Sequence, residues 1–520
     1  MKVAVVGSGV SGLAATWLLN EHSDHEVHLF EADTRVGGHA NTVSFEQPGA
    51  KGAPGVDVDT GFIVFNPSTY PNFLRFLHLY PELKAAVQPT DMTFSVSRDD
   101  GVFEWAGKGL GSLFCQSMRV FDRSMWSMIY DIFRFNACAP RRFGEEKGEE
   151  LSIGEYLKKE GYSDSFKDNY LIPMTAAIWS TPPDICALDF PVRTLVQFMS
   201  NHNLLQITGK PSWLTLRGGS RVYVDRIVSS LPPSHLHLAS PVRAVSTFPT
   251  TTPSPRTSKA KHEVHLQLAS GVVEVFDHII LACHADSALE ILHQGKSVGG
   301  PSDEEQRVLE MFKFNQNEVV LHSDVRLMPK KRAAWSCWNY LTYSEVDNET
   351  GKSKANVNKV ALTYWMNDLQ HISEKKHGPV FVTLNPPFEP APDKVVAKFK
   401  YEHPVVDSRA VTAQRLISSI QNVRGISYAG AWLKYGFHED GFTTGLRAAL
   451  ALQEHTPNGD AIRCPFDVRD AEHEPRTNTF AVLFFGVLEQ TGTRVGLGHV
   501  LGFLLDVLSA LLYVMFSSIS

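Results

Sequence analysis

Residues 1–20 read MKVAVVGSGVSGLAATWLLN, and residues 31–43 read EADTRVGGHANTV. In the first stretch Lys2 to Val6 has the β-branched character of a buried strand, and Leu13 to Asn20 reads as a helix. Between them Gly7, Gly9 and Gly12 stand in G-x-G-x-x-G spacing, with Ser8, Val10 and Ser11 filling the loop. The spacing meets three needs: a tight turn, close approach of backbone to a pyrophosphate, and close packing of helix on strand. The helix start offers free N–H groups and a positive dipole end to phosphate. Val27 to Phe30 reads as a second strand, closed by Glu31, 24 residues after Gly7. A carboxylate there accepts hydrogen bonds from ribose hydroxyls and repels a 2′-phosphate, which disfavours NADP and leaves NAD or FAD.

The second stretch separates those two. After Glu31 and Ala32 come Arg35, the pair Gly37-Gly38 and His39, a second loop shaped for close backbone approach. An NAD domain has no need of one here, whereas FAD has a ribityl chain and a ring still to be held. The E-x-x-x-R-x-G-G pattern resembles the flavin-containing amine oxidase superfamily. Later segments extend the resemblance. Val242, in Ser240 to Val245, looks like the residue whose backbone borders the adenine, and Asp277 to Cys283 looks like a strand returning to the sheet. Residues 426–450, ISYAGAWLKYGFHEDGFTTGLRAAL, resemble the closing flavin motif. There the resemblance implies a strand ending in Ala429-Gly430, with Gly430 and Ala431 at the cofactor, and a helix opened by Gly441-Phe442-Thr443, its positive end facing the flavin edge. Trp432 and Tyr435 flank this motif and are expected to wall the isoalloxazine. His39 stands where amine oxidases usually carry arginine, and is expected to satisfy a backbone carbonyl near the pyrophosphate. The implied cofactor is FAD.

Longer strings narrow the resemblance: VDVDTGFIVFN (56–66), LIPMTAAIWST (171–181), LRGGSRVYVDRI (216–227), LHSDVRLMPKKRAAWSCWNYL (321–341) and YWMNDLQ (364–370). Over residues 1–455 they resemble the FAD-binding proteins associated with cyclopropane-fatty-acid synthases, a branch similar to the polyenoic fatty acid isomerases. The activity this implies is hydride abstraction from an unsaturated fatty acyl chain, ending in desaturation or double-bond isomerisation. Arg217, Lys330, Lys331 and Arg332 are candidate partners for a lipid carboxylate or phosphate. No catalytic residue is assigned. Two other classes stay open: an amine oxidase proper, and a non-catalytic FAD-binding partner of a lipid-modifying methyltransferase.

The fold expected is α/β, with a discontinuous Rossmann-type FAD-binding domain (1–65, 212–292 and 423–456) and an inserted α+β substrate domain (66–211 and 293–422). Residues 249–261, PTTTPSPRTSKAK, are too poor in apolar side chains to join a core. A formal charge of -7 argues against nucleic acid as partner. The six cysteines lie scattered, and His235 and His237 stand alone at i, i+2, so no metal site is expected.

Residues 457–494 read as a linker with an interfacial segment around Phe480 to Leu488. Residues 495–516, VGLGHVLGFLLDVLSALLYVMF, read as an apolar membrane anchor. As a helix the run would reach ~33 Å, enough for a hydrocarbon core of ~30 Å. Arg494 precedes it and Ser517 to Ser520 follow, an asymmetry that places the catalytic domain on the cytosolic side. No signal peptide precedes the first strand, in keeping with that side.

Overall fold

The computed structural model describes residues 1–47, 54–140, 151–179, 191–202, 204–205, 212–249, 262–295, 300–346, 353–355, 361–455, 462–470 and 479–490. The run 250–261 and the anchor run 495–516 lie outside the described residues. Among the described residues, no helix is long and apolar enough to cross a membrane. The chain divides into two units, and each is described by itself.

The first unit comprises Met1–Thr90, Ser212–Asn317 and Phe399–Ala471. It is larger than the sequence suggested: 66–90, 293–317, 399–422 and 462–470 belong to it rather than to the substrate domain or linker. At its centre lies a five-stranded parallel sheet. Its strands are β1 (Lys2–Val6), β2 (Glu26–Phe30), β3 (Leu236–His237), β4 (His278–Leu281) and β5 (Ile426–Tyr428), in spatial order β5-β4-β1-β2-β3. Register is set on both sides of β1, with Val5 level with Leu29 and with Ile280. A parallel sheet must be covered on both faces, which is why β1, β2 and β4 are almost wholly buried and apolar.

Helix α1 (Val10–His22) is buried at every position from Ser11 to Leu19. It packs against the sheet and against α3 (His438–Leu450), and side-chain-free positions make that possible. A Cβ on Gly12 would lie 1.8 Å from the Gly7 carbonyl oxygen, and one on Gly445 would lie 2.1 Å from that of Ser11. Helix α2 (Pro71–Leu79) closes the same core through Phe73 and Phe76, whose rings meet Phe442 at 5.5 and 5.3 Å. A three-stranded antiparallel sheet (Val242–Pro249, His262–Leu268, Val273–Phe276) completes the unit.

The second unit comprises Asp91–Pro211, Glu318–Lys398 and Glu472–Ser520. It carries a mixed seven-stranded sheet in which Trp338–Thr342 is an inner strand, parallel to Phe94–Arg98 and antiparallel to the central Ala361–Trp365. The aromatic-rich helix Arg123–Cys138 buries Phe135 but leaves Trp126 and Phe133 exposed. Against it packs the helix Thr479–Gln490, with the Phe485 ring 5.5 Å from Tyr130.

Candidate FAD site

The site grows from the end of β1. Gly7 turns the chain at φ 101°, in the left-handed region that glycine tolerates, and its N–H donates to Phe30 O at 2.8 Å. Gly9 caps α1, and a Cβ there would meet no atom within 4 Å. That open cradle, bounded by the first-turn N–H groups of α1, fits a pyrophosphate. The second glycine loop lies against the first. Gly37 N donates to Ser8 O at 3.0 Å, and a Cβ on Gly38 would come 3.1 Å from Gly9 Cα. Arg35, whose guanidinium donates to Gly38 O at 2.9 Å, holds this loop in shape. Ala32 is exposed beside it.

Glu31 does two jobs at once. One carboxylate oxygen accepts from Ser8 N at 2.9 Å and Ser8 Oγ at 2.5 Å, and the other accepts from Asp33 N at 2.9 Å. A carboxylate oxygen has two lone pairs, so the second retains room for a ribose hydroxyl. Glu31→Ala is expected to weaken FAD binding by ~1.5–3 kcal/mol, because a charged acceptor is lost and the loop it ties is released. Titrating FAD into deflavinated protein and following flavin fluorescence measures this; an unchanged dissociation constant would contradict the assignment.

Two of the quoted strings meet here. Asp59 of VDVDTGF accepts from Ser220 N at 2.8 Å and Ser220 Oγ at 2.7 Å, beside Gly218 and Gly219 at φ 85° and 77°. Arg217, one of the proposed carboxylate partners, is exposed, with its main-chain N–H on Ala86 O at 2.8 Å. Val242 opens its strand, half-buried against the core around Val245 and Leu266.

The closing segment differs from expectation. Helix α3 starts at His438, three residues before Gly441, because Asp440 accepts from Phe437 N at 2.9 Å and closes a capping turn. Gly441 N already donates to Phe437 O, so the first turn of the helix is formed by His438, Glu439 and Asp440 and not by Gly441. Gly441 instead permits packing: a Cβ there would meet Val10 Cγ1 at 2.5 Å. Phe442 is wholly buried in the core, and Thr443 accepts from Asn72 Nδ2 at 2.8 Å. Gly430 and Thr444 bond each other through Gly430 N and O at 3.1 Å, and Ala431 begins a short turn. Trp432 is 2% exposed; its indole N–H donates to Cys283 O at 3.1 Å and its ring packs on Phe312 at 4.5 Å. Its ring is therefore a core element, while Tyr435 is half-buried nearby in the chain.

The sequence reading singled out His39 but missed the histidines around it, His284, His403 and His438. His39 lies with its ring 4.8 Å from Tyr401 and 5.1 Å from His403, and among the described residues it makes no bond to a backbone carbonyl. Tyr401 Oη accepts from Asn41 Nδ2 at 2.8 Å and lies 2.8 Å from Thr60 Oγ1. His403 Nδ1 is 2.8 Å from Asn317 Nδ2, and His284 Nδ1 is 3.1 Å from Glu402. His438 stacks on Phe62 at 3.7 Å, with Nε2 2.8 Å from Tyr223 Oη. Burial first, then the neighbouring imidazoles, hold His39 well below its ordinary range. Burial brings His403 down to about 4 and His438 down to about 3.

These shifts carry a stability consequence. The folded values lie below the unfolded one, so between pH 6.5 and about 4 the unfolded chain binds the extra protons. The stability due to neutral histidines is complete above the unfolded value and is lost as pH falls. Each such histidine adds ~1.4 kcal/mol per pH unit to the slope. Urea unfolding at pH 7, 6 and 5 reads this directly; a flat profile would mean the imidazoles are solvated.

Comparison with known proteins agrees with this geometry. The flavin containing amine oxidoreductase family pattern matches residues 10–314. An L-amino-acid oxidase of Pseudechis australis is 28% identical over an aligned stretch of 182 positions, covering 31% of this chain. That stretch spans about a third of the relative's own length (31%). Two solved structures share the fold at low identity. A CLA-producing fatty acid isomerase from P. acnes has TM-score 0.53 and 12% identity, covering 86% of this chain and 97% of that one. Cyclohexylamine oxidase from Brevibacterium oxydans has TM-score 0.52 and 12% identity, covering 87% and 99%. The glycine cradle, the Glu31 carboxylate and the matched pattern, which covers more than half of the chain, make this protein an FAD-binding oxidoreductase of the flavin-containing amine oxidoreductase family.

Proposed function

We propose that the substrate is an unsaturated fatty acyl chain, from which hydride is taken at an allylic or bis-allylic carbon so that a double bond is moved or formed. The observation that carries this reading is the set of uncharged aromatic rings and imidazoles packed together around the second glycine loop and the start of α3, with His39 against Tyr401 and His403, and His438 stacked on Phe62. Burial lowers the pKa of His39, His403 and His438, which favours their neutral form among Phe62, Tyr401 and Tyr223. Such surroundings accept an acyl chain without stranding a buried charge. FAD supplies the hydride acceptor. The chain's own part is to hold it through the β1–α1 loop, Glu31 and the second glycine loop. The shared fold of a CLA-producing fatty acid isomerase supports the same substrate class.

Membrane attachment is part of the proposal. On helix Thr479–Gln490, Phe480, Leu483, Phe484 and Val487 are 57–87% exposed and fall at i, i+3, i+4 and i+7, one face of a helix. An exposed apolar stripe of this kind suits a lipid interface. It precedes the apolar run 495–516 by only a few residues. The full chain is expected in the membrane fraction and residues 1–475 in the soluble one; full-length protein soluble without detergent would end this part.

The substrate test is anaerobic. The yellow holoprotein is mixed with unsaturated fatty acids, their phospholipids and a panel of amines, and bleaching of the flavin is followed. Bleaching by lipids with several double bonds and not by saturated ones is the expected result. Bleaching by amines alone would make the protein an amine oxidase proper, and bleaching by neither would favour a non-catalytic partner.

A further inference from the structure

At the open edge of the five-stranded sheet, β2 and β3 present alternate side chains on one face. Strand positions two apart share a face, so Glu26, His28 and Phe30 align along β2. β3 pairs Phe30 with His237, which puts His28 level with His235. The rings of His28 and His235 stack at 4.3 Å, and His28 Nδ1 lies 3.0 Å from His237 Nε2. His28 Nε2 lies 2.9 Å from Glu26 Oε1. One ligand atom each from Glu26, His28 and His235 lies within 4.8 Å of the other two. We infer that Glu26, His28 and His235 form a binding site for a divalent transition-metal ion, zinc by its donor set, which pins β3 to β2.

The donor chemistry selects the ion. Two imidazoles and one carboxylate suit zinc, whereas magnesium and calcium take oxygen ligands. Zinc bonds of ~2.0–2.2 Å in a tetrahedron set ligand atoms ~3.3 Å apart, so Glu26 Oε1 and His28 Nε2, now 2.9 Å apart, open slightly while the His235 nitrogen draws in by at most ~1.5 Å. Exposed Glu26 and half-buried His235 have the freedom to do this, while His28, 7% exposed, fixes the position. His237 is the orienting group: with His28 Nδ1–H donating to His237 Nε2, the Nε2 lone pair of His28 faces the ion. The ion then takes the place of the proton shared between His28 Nε2 and Glu26. Lys2, the nearby cation, is paired with Glu274 at 3.6 Å.

The location gives the site a use. β3 is two residues long, and the pairs Leu29–Leu236 and Phe30–His237 are its whole register with β2. It nevertheless supports the nucleotide end of the sheet, since Glu31 N donates to His237 O at 2.9 Å and Ser240 N donates to Glu31 O at 2.8 Å. A metal clip across β2 and β3 stiffens the backbone on which Glu31 stands.

The experiment uses chelator-treated, FAD-loaded full-length protein, dialysed against zinc chloride, with bound zinc counted and the thermal midpoint recorded. Wild type is expected to hold one zinc ion more than Glu26→Gln/His235→Asn and to gain thermal stability that the variant does not. Dissociation constants should rise ~100-fold in the double variant and ~10-fold in His237→Gln, which loses the orienting group alone. Equal FAD content in wild type and variant, both without zinc, shows that the fold is kept; should the double variant lose FAD, the single His235→Gln is read instead. Zinc stoichiometry unchanged by the substitutions, or zinc binding that leaves the thermal midpoint where it was, overturns the inference.

Discussion

Gly9→Val yields a folded protein without FAD. The substitution adds its side chain where a Cβ would meet no protein atom within 4 Å, so the apoprotein has room for it. Backbone angles of φ -64° and ψ 176° at Gly9 are extended and suit valine. The occupied space is the cradle at the helix start, where a pyrophosphate needs backbone contact. We expect affinity for FAD to fall by at least ~3 kcal/mol, a factor of ~100 or more. The purified variant should be colourless and its circular dichroism that of deflavinated wild type. Full yellow occupancy would place the dinucleotide loop elsewhere.

Gly445→Ala does the opposite kind of damage. Its Cβ would stand 2.1 Å from the Ser11 carbonyl oxygen and 3.1 Å from Ala14 Cβ, both on α1. Backbone cannot swing aside as a side chain does, so α1 and α3 must separate along a buried seam. The cost is expected at about 3 kcal/mol or more, at the upper end for overpacking. Two neighbouring experiments calibrate it. Gly441→Ala meets a movable Val10 methyl and should cost ~1 kcal/mol. Gly486→Ala, within helix Thr479–Gln490 and open to space, should gain up to ~1 kcal/mol from helix propensity. Urea unfolding of the three variants should give that order; equal midpoints for Gly445→Ala and Gly441→Ala would mean the seam is loose.

The dinucleotide end of the molecule was legible in the sequence because its parts are local. β1, the turn at Gly7, α1, β2 and Glu31 occupy the first 31 residues, and the glycines answer needs of torsion and approach that only glycine meets. The start of α3 was also written locally, in Glu439 and Asp440 of its first turn, yet Gly441 drew attention away from that acidic signal. Trp432 could not be placed from sequence: an indole after a glycine serves equally as a site wall or as core, and only Phe312 and Cys283 decide between them.

What tertiary structure alone decided is the company of the histidines. His39 and His403 are 364 residues apart in sequence, and His28 and His235 are 207 apart, so no spacing rule joins either pair. Closure of the sheet by β3 and the return of the chain at Tyr401 bring them together, and burial lowers the pKa of His39 and His403. By itself the sequence determined the fold and the cofactor, because both rest on backbone geometry repeated over short spans. The charge state of the site, and the metal clip inferred at the sheet edge, depend on side chains that meet only when distant segments pack.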